Sequence, residues 1–183
     1  MSYYLIIVLG DIIDDSAEKY TDQIALTSMH QGPLKKSFKN VKEDADKLAT
    51  GLLSLGLHPG DRVGIWGPNS YEWYQTQMAT AQAGFILVNV NPAYKSHELQ
   101  YCINKVQIKA LISARMFKTT DYYKILRELS DDQNTLKGER IPSLEHVIMM
   151  NQNTEDTVYV LNTYYVAVVS LNSKIILQFS CPH

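Results

Sequence analysis

An α/β fold with a helix-flanked, mainly parallel sheet is the architecture this sequence predicts. Three observations carry the prediction. Apolar residues alternate along the chain between helical spacing and short continuous runs. One of those runs, Phe85–Val90 (FILVNV), is apolar almost throughout, as a strand covered on both faces must be. Turn-forming residues stand at the joints, in Pro59-Gly60-Asp61, Gly67-Pro68-Asn69-Ser70 and Asn91-Pro92-Ala93-Tyr94. Repeated strand–helix–strand units of this length form parallel, right-handed crossovers.

Each element follows in order. Tyr3–Leu9 is an apolar leader, read as a strand or irregular segment, and Ile12, Ile13, Ala17 and Tyr20 then stand at near-helical spacing. Val41, Ala45, Leu48, Ala49, Leu52 and Leu55 form a one-face helical stripe. Ser37 can cap its start, and Gly56 stands where a helix ends in the left-handed conformation. Arg62–Trp66 reads as a short strand. Asn69 or Ser70 caps a second helix from Tyr71 to Ala83, which Gly84 stops. After the strand Phe85–Val90, Ser96 is the expected cap of a helix running to Lys105. A strand at Ala110–Ser113, a helix at Asp121–Leu129, a polar stretch at Ser130–Arg140 and a strand at Glu145–Met150 complete the pattern.

Composition narrows the function. The 183 residues carry 17 Lys+Arg against 19 Asp+Glu, a formal net charge of −2, which gives no electrostatic support to a nucleic-acid or anionic-membrane surface. Spanning a bilayer needs ~20 apolar residues, so the leader is too short for a transmembrane helix. It also lacks the basic region of a secretory signal and the Arg-rich character of a transit peptide. Cys102 and Cys181 cannot build a disulfide framework or fill a structural zinc site unaided.

Site chemistry is sparse. Gly64-Ile65-Trp66-Gly67 is followed by no GK[ST], and Pro68 removes a backbone donor that a phosphate would use, so it reads as a strand ending in a tight turn. No G-x-G-x-x-G follows a strand. His30, His58, His97, His146 and His183 show no metal-binding spacing. Asp14-Asp15 and Asp131-Asp132 read as solvated charges at turns or helix ends. Tyr71, Trp73 and Tyr74 read as a helix packing its aromatic face on the sheet. The residues alone therefore yield an α/β domain with no catalytic residue and no metal ligands assigned.

Two longer stretches are familiar. Leu48–Trp73 reads LATGLLSLGLHPGDRVGIWGPNSYEW and Met78–Tyr94 reads MATAQAGFILVNVNPAY. With HELQYCINKV and KALI further on, they resemble the amino-terminal part of an adenylate-forming (ANL superfamily) acyl-CoA synthetase of the medium-chain fatty acid ligase kind. The resemblance runs from about Gly10 to Met150. It divides the chain into an apolar leader (1–9), the amino-terminal part of an AMP-dependent synthetase/ligase domain (10–150) and a divergent tail (151–183). It implies an incomplete amino-terminal subdomain of an AMP-binding domain. In this family ATP, Mg and a fatty acid give an acyl-adenylate, and coenzyme A then displaces AMP to form a thioester.

What the resemblance implies for sites is limited. The family's phosphate loop, T-S-G-T-T-G-x-P-K-G, follows a strand ending Gln-Phe. Here Gln178-Phe179 leads into Ser180-Cys181-Pro182-His183 instead, and Val158–Leu171 does not resemble the family. No cofactor of its own is expected for this chain, and as a truncated relative it is expected to be inactive. The alternatives are a non-catalytic module pairing with a full-length relative, and a truncated product with no function of its own. The loop after the second core strand lies, in this superfamily, near the mouth of the coenzyme A tunnel, which makes Asn91, Tyr94 and Lys95 the candidate cofactor-binding residues. An intracellular, mitochondrial location is implied by the family, although the leader shows no transit peptide.

Overall fold

The computed structural model describes residues 8–131 and 136–150 and, beyond them, the backbone of strands at 157–161, 166–170 and 175–178. Most of the leader, Asp132, Gln178-Phe179 as a pair, Cys181 and His183 lie outside the described residues.

Helix α1 (Leu9–Tyr20) begins inside the stretch read as leader, with Gly10 in its first turn. A Cβ there would stand 3.5 Å from the Gln82 backbone, so the first turn of α1 lies directly on a neighbouring helix end. A hairpin follows, β1 (Ile24–Ser28) and β2 (Leu34–Ser37), paired antiparallel. Helix α2 (Phe38–Ser54) starts at the predicted cap: Ser37 Oγ accepts from the Asn40 N–H at 3.2 Å. It ends at Leu55, and Gly56 turns the chain at φ +87°, a backbone state that costs glycine nothing.

The core strands then alternate with helices: β3 (Arg62–Trp66), α3 (Tyr71–Gln82), β4 (Ile86–Val90), α4 (Ser96–Val106) and β5 (Ala110–Ala114). A short hairpin, β6 (Met116–Phe117) and β7 (Thr120–Asp121), leads into α5 (Tyr122–Leu129) and on to β8 (His146–Met150). Of the two candidate caps of α3, Ser70 does the capping, its Oγ accepting from the Trp73 N–H at 3.3 Å. Gly84, at φ +72°, ends the element as expected.

With β9 (Thr157–Leu161), β10 (Val166–Ser170) and β11 (Ile175–Gln178), the main sheet among the described residues runs β11-β10-β9-β8-β5-β3-β4. Its helix-flanked part, β4-β3-β5-β8, is parallel throughout. Strands β9, β10 and β11 extend it antiparallel beyond β8. Because β4 lies on one side of β3 and β5 on the other, right-handed crossovers send α3 and α4 to opposite faces. The helices group accordingly, with α1, α2 and α3 packed together and α4 against α5. All five residues of β5 and of β8 are buried, which explains their continuous apolar runs.

Three expectations need correction. Strand β4, expected to be covered on both faces, ends the sheet among the described residues, and only Val90 of its five residues is fully buried. Lys95, not Ser96, is the residue before α4: Ser96 is its first helical residue, and its hydroxyl donates to Glu128 on α5 at 2.6 Å. Glu98 instead closes that helix end by accepting from the Lys95 N–H at 3.1 Å. Tyr71 is buried in the core with Trp73 and Tyr74 packed against it, and its hydroxyl also donates to Asp44 on α2 while Lys36 of β2 stands over its ring. Asp14 belongs to no turn or helix end. It sits within α1 and accepts from Lys42 of α2 at 3.1 Å and from Gln82 of α3 at 3.2 Å. Asp131 does lie past the end of α5, and it accepts from the Glu139 N–H at 2.6 Å.

Candidate functional site

In an open α/β sheet ligands bind outside the carboxyl ends of the strands, where neighbouring crossovers leave in opposite directions. Here that point lies between β3 and β5. The loops around it are Gly67–Ser70 after β3, Asn91–Lys95 after β4 and the β6–β7 hairpin after β5. The strand ends are packed tightly under them. A Cβ on Gly67 would stand 3.0 Å from Ala114 Cβ and 3.2 Å from Met150 Cε, so a side chain here would have to push the neighbouring strand ends back.

Asn91–Lys95 is held from within and from below. Asn91 Oδ1 accepts from the Ala93 N–H at 2.9 Å, and the Asn91 carbonyl accepts from the Tyr94 N–H at 3.1 Å. Pro92 fixes φ between them. The indole Nε1 of Trp66, at the end of β3, donates to the same Asn91 carbonyl at 3.1 Å. The Tyr122 hydroxyl, from the first residue of α5, donates to the neighbouring Pro92 carbonyl at 3.1 Å. Both rings are fully buried and meet edge to face with centroids 4.4 Å apart. Burial pushes the Tyr122 phenol up, so it stays a donor.

The three candidate residues have different surroundings. Asn91 is exposed, with its side-chain oxygen engaged in the turn. Tyr94 is half-buried against the core. Lys95 is exposed and reaches Thr120 Oγ1 of the β6–β7 hairpin at 3.4 Å, tying two of the three loops together. The Glu98 carboxyl is held below the usual carboxylate range by the N–H groups of Glu98 and Lys95. Beside the hairpin lies a shallow open depression of about 490 Å³, lined by Arg115, Asp121, Tyr123, Lys124, Arg127 and Glu128. Arg115 stands 4.3 Å over the Tyr123 ring, a cation–π contact. Sequence reading found the loop but missed Trp66 and Tyr122, whose partners are 25 and 30 residues away.

For a phosphate-bearing ligand the loop after β3 is poor: Pro68 has no N–H and Ser70 Oγ is used as a helix cap. Among the described residues no group of three or more His, Cys, Asp or Glu could hold a metal ion. The half-buried Cys102 thiol is pushed up by burial, which makes it a weak source of thiolate. No helix among the described residues is long and apolar enough to cross a membrane.

Known proteins share both the sequence and this architecture. The chain is 45% identical over 148 residues to the mitochondrial medium-chain acyl-CoA ligase ACSF2 of Mus musculus, covering 78% of this chain and 24% of the relative. With the Bos taurus protein of the same name it is 45% identical over 154 residues, covering 81% and 25%. The chain thus spans about a quarter of the length of the curated relatives it matches. Among solved structures, the anthranilate CoA ligase AuaEII in complex with anthranoyl-AMP superposes with a TM-score of 0.68 at 20% identity, covering 81% of this chain and 26% of that one. It shares the fold of an adenylation enzyme's amino-terminal subdomain, here covered only in part. The model of the AMP-binding enzyme family matches residues 13–164, beyond β8 and into the stretch read as a divergent tail. With most of its length matched, the chain belongs to the AMP-binding enzymes.

Proposed function

We propose that this chain supplies the amino-terminal wall of an AMP-forming medium-chain fatty acid–CoA ligase. Asn91, Tyr94 and Lys95 then stand at the coenzyme A mouth, and these 183 residues alone do not activate fatty acids. The position of Asn91–Lys95 at the carboxyl edge, beside the crossover switch, is the observation that supports this most. In the complete reaction the fatty acid carboxylate attacks the α-phosphate of ATP and releases pyrophosphate. The coenzyme A thiolate then attacks the acyl carbonyl and AMP leaves. The first step depends on donors and cations aimed at the phosphates.

Purified chain supplied with ATP, Mg, a medium-chain fatty acid and coenzyme A tests the proposal. Pyrophosphate and acyl-CoA are expected to stay at the blank level, and turnover overturns the reading. A titration with coenzyme A alone tests the mouth: binding that Lys95→Ala weakens supports it, and binding that Lys95→Ala leaves unchanged counts against it. The relatives' name carries a mitochondrial location, which this reading extends to the present chain; organelle fractionation checks it.

A second reading, pairing with a full-length relative, is favoured by one feature. Strand β4 ends the sheet among the described residues, and Ile86 on it is 52% exposed. An open strand edge is a ready template for another chain. Co-purification with a full-length relative at fixed stoichiometry supports this reading, and a monomer at high concentration in its presence rejects it.

A further inference from the structure

We infer that Trp66 and Tyr122 are positioning residues: together they form a two-point clamp that sets the shape of the Asn91–Lys95 loop for its ligand. This rests on the reading of that loop as the coenzyme A mouth and goes beyond it, because neither aromatic is itself placed at the ligand.

The loop's own bonds do not fix where it sits. The Ala93 N–H to Asn91 Oδ1 bond and the Tyr94 N–H to Asn91 carbonyl bond curl the turn, but both are internal to it. The contacts that tie this turn's carbonyls to the core come from two buried rings. Trp66 Nε1 donates to the Asn91 carbonyl and the Tyr122 hydroxyl to the Pro92 carbonyl, each at 3.1 Å. The two anchored carbonyls belong to successive residues, so two consecutive peptide planes, 91–92 and 92–93, are each held at their oxygen.

The anchors are rigid for a physical reason. Trp66 ends β3, the strand flanked on both sides by parallel neighbours, and Tyr122 begins α5, on the opposite side of the switch point. Their rings brace each other edge to face at 63°, so neither can swing without displacing the other. A phenol and an indole N–H buried to this depth require partners, and the loop carbonyls are what satisfy them. The clamp also fixes the start of α4, since Lys95 follows Tyr94 directly and its N–H is taken by Glu98. Any ligand group meeting Lys95 therefore meets an amine whose backbone is anchored on β3 and α5, a preorganised arrangement that spares the ligand the cost of ordering the turn.

Two conservative changes test this: Trp66→Phe and Tyr122→Phe, which remove the donor and keep a ring. The readouts are hydrogen exchange at the Ala93 and Tyr94 amides and calorimetric affinity for coenzyme A, both on the full chain. Each variant is expected to speed exchange at those amides by about 10-fold and to weaken coenzyme A by about 10-fold, the scale of one lost hydrogen bond. Asp61→Asn, at the amino end of β3 where Asp61 pairs with Lys109 at 2.9 Å, serves as the stability control. It is expected to lower the melting temperature and leave both readouts unchanged. Unaltered exchange in the two ring variants overturns the clamp, as does faster exchange with coenzyme A affinity unchanged. If the wild-type chain binds no coenzyme A, the ligand assignment falls, and the exchange data still decide the clamp.

Discussion

The Tyr71 hydroxyl, at the start of α3, donates a 2.6 Å hydrogen bond to Asp44 Oδ2 in the middle of α2. The same oxygen accepts from Lys36 of β2 at 2.9 Å, and Gln75 donates to the Asp44 carbonyl at 2.8 Å. With Asp44 only 4% exposed, one carboxylate joins the hairpin and two helices inside the core. Removing it strands the Lys36 ammonium, and breaking a buried pair in this way costs about 3–5 kcal/mol. Asp44→Ala should therefore destabilise the chain by about 3 kcal/mol or more. Tyr71→Phe, which deletes one hydrogen bond, should cost about 1–2 kcal/mol. Denaturant midpoints decide the order, and an Asp44→Ala variant milder than Tyr71→Phe refutes it.

Two serines that look alike in sequence should behave differently. Ser70 Oγ caps α3 through the Trp73 N–H, so Ser70→Ala is expected to cost about 1 kcal/mol. Ser96 caps nothing and donates to Glu128 at the surface, so Ser96→Ala should shift stability by no more than about 0.5 kcal/mol. Equal losses in thermal or chemical unfolding would contradict this assignment.

The contrast shows what could be read in advance. The parallel strands, and the helices between them, were legible because their signals are local: apolar runs in β3 and β5, Gly56 and Gly84 at helix ends, and Ser37 three residues before its partner. Ser96 misled because a serine at the first helical residue looks the same in sequence as one just before it. The β1–β2 hairpin went unread since its strands are half-buried and Lys35-Lys36 interrupts any apolar alternation. Within the site, Asn91-Pro92 announced a turn, whereas the donors that anchor it come from Trp66 and Tyr122, which only the completed sheet brings beneath it. Val158–Leu171 resembled nothing familiar, yet strands of the tail extend the sheet and part of it falls within the family match.

Convergence of the strand ends makes a reciprocal prediction. Gly67→Ala drives a methyl to 3.0 Å from Ala114 Cβ, an atom with no torsion by which to move away. Overpacking of this kind costs about 1–3 kcal/mol. Adding Ala114→Gly removes the opposing methyl and should recover most of that loss, apart from the penalty of glycine in a strand. A double-mutant cycle measures the coupling, and additive losses would show that the two positions do not touch.

The pH profile of stability should show two limbs of the same sign. His146, on β8, hydrogen-bonds the Leu55 carbonyl, and burial holds its imidazole below the ordinary histidine value despite the nearby Glu145. Its neutral form is thus favoured in the folded state, so the unfolded chain takes up a proton first as pH falls. Stability is lost from about pH 6.5 downward until the folded pKa is passed. Asp61 adds a lower limb. The His58 N–H, at 2.8 Å, and Lys109 hold its carboxyl below the usual value, so its contribution is full above the unfolded carboxylate pKa and fades as pH falls through the folded one. His146→Gln should flatten the profile between pH 5 and 7 and leave the acid limb unchanged, whereas Asp61→Asn should do the reverse. A His146→Gln profile that keeps the upper slope would assign that slope to another group.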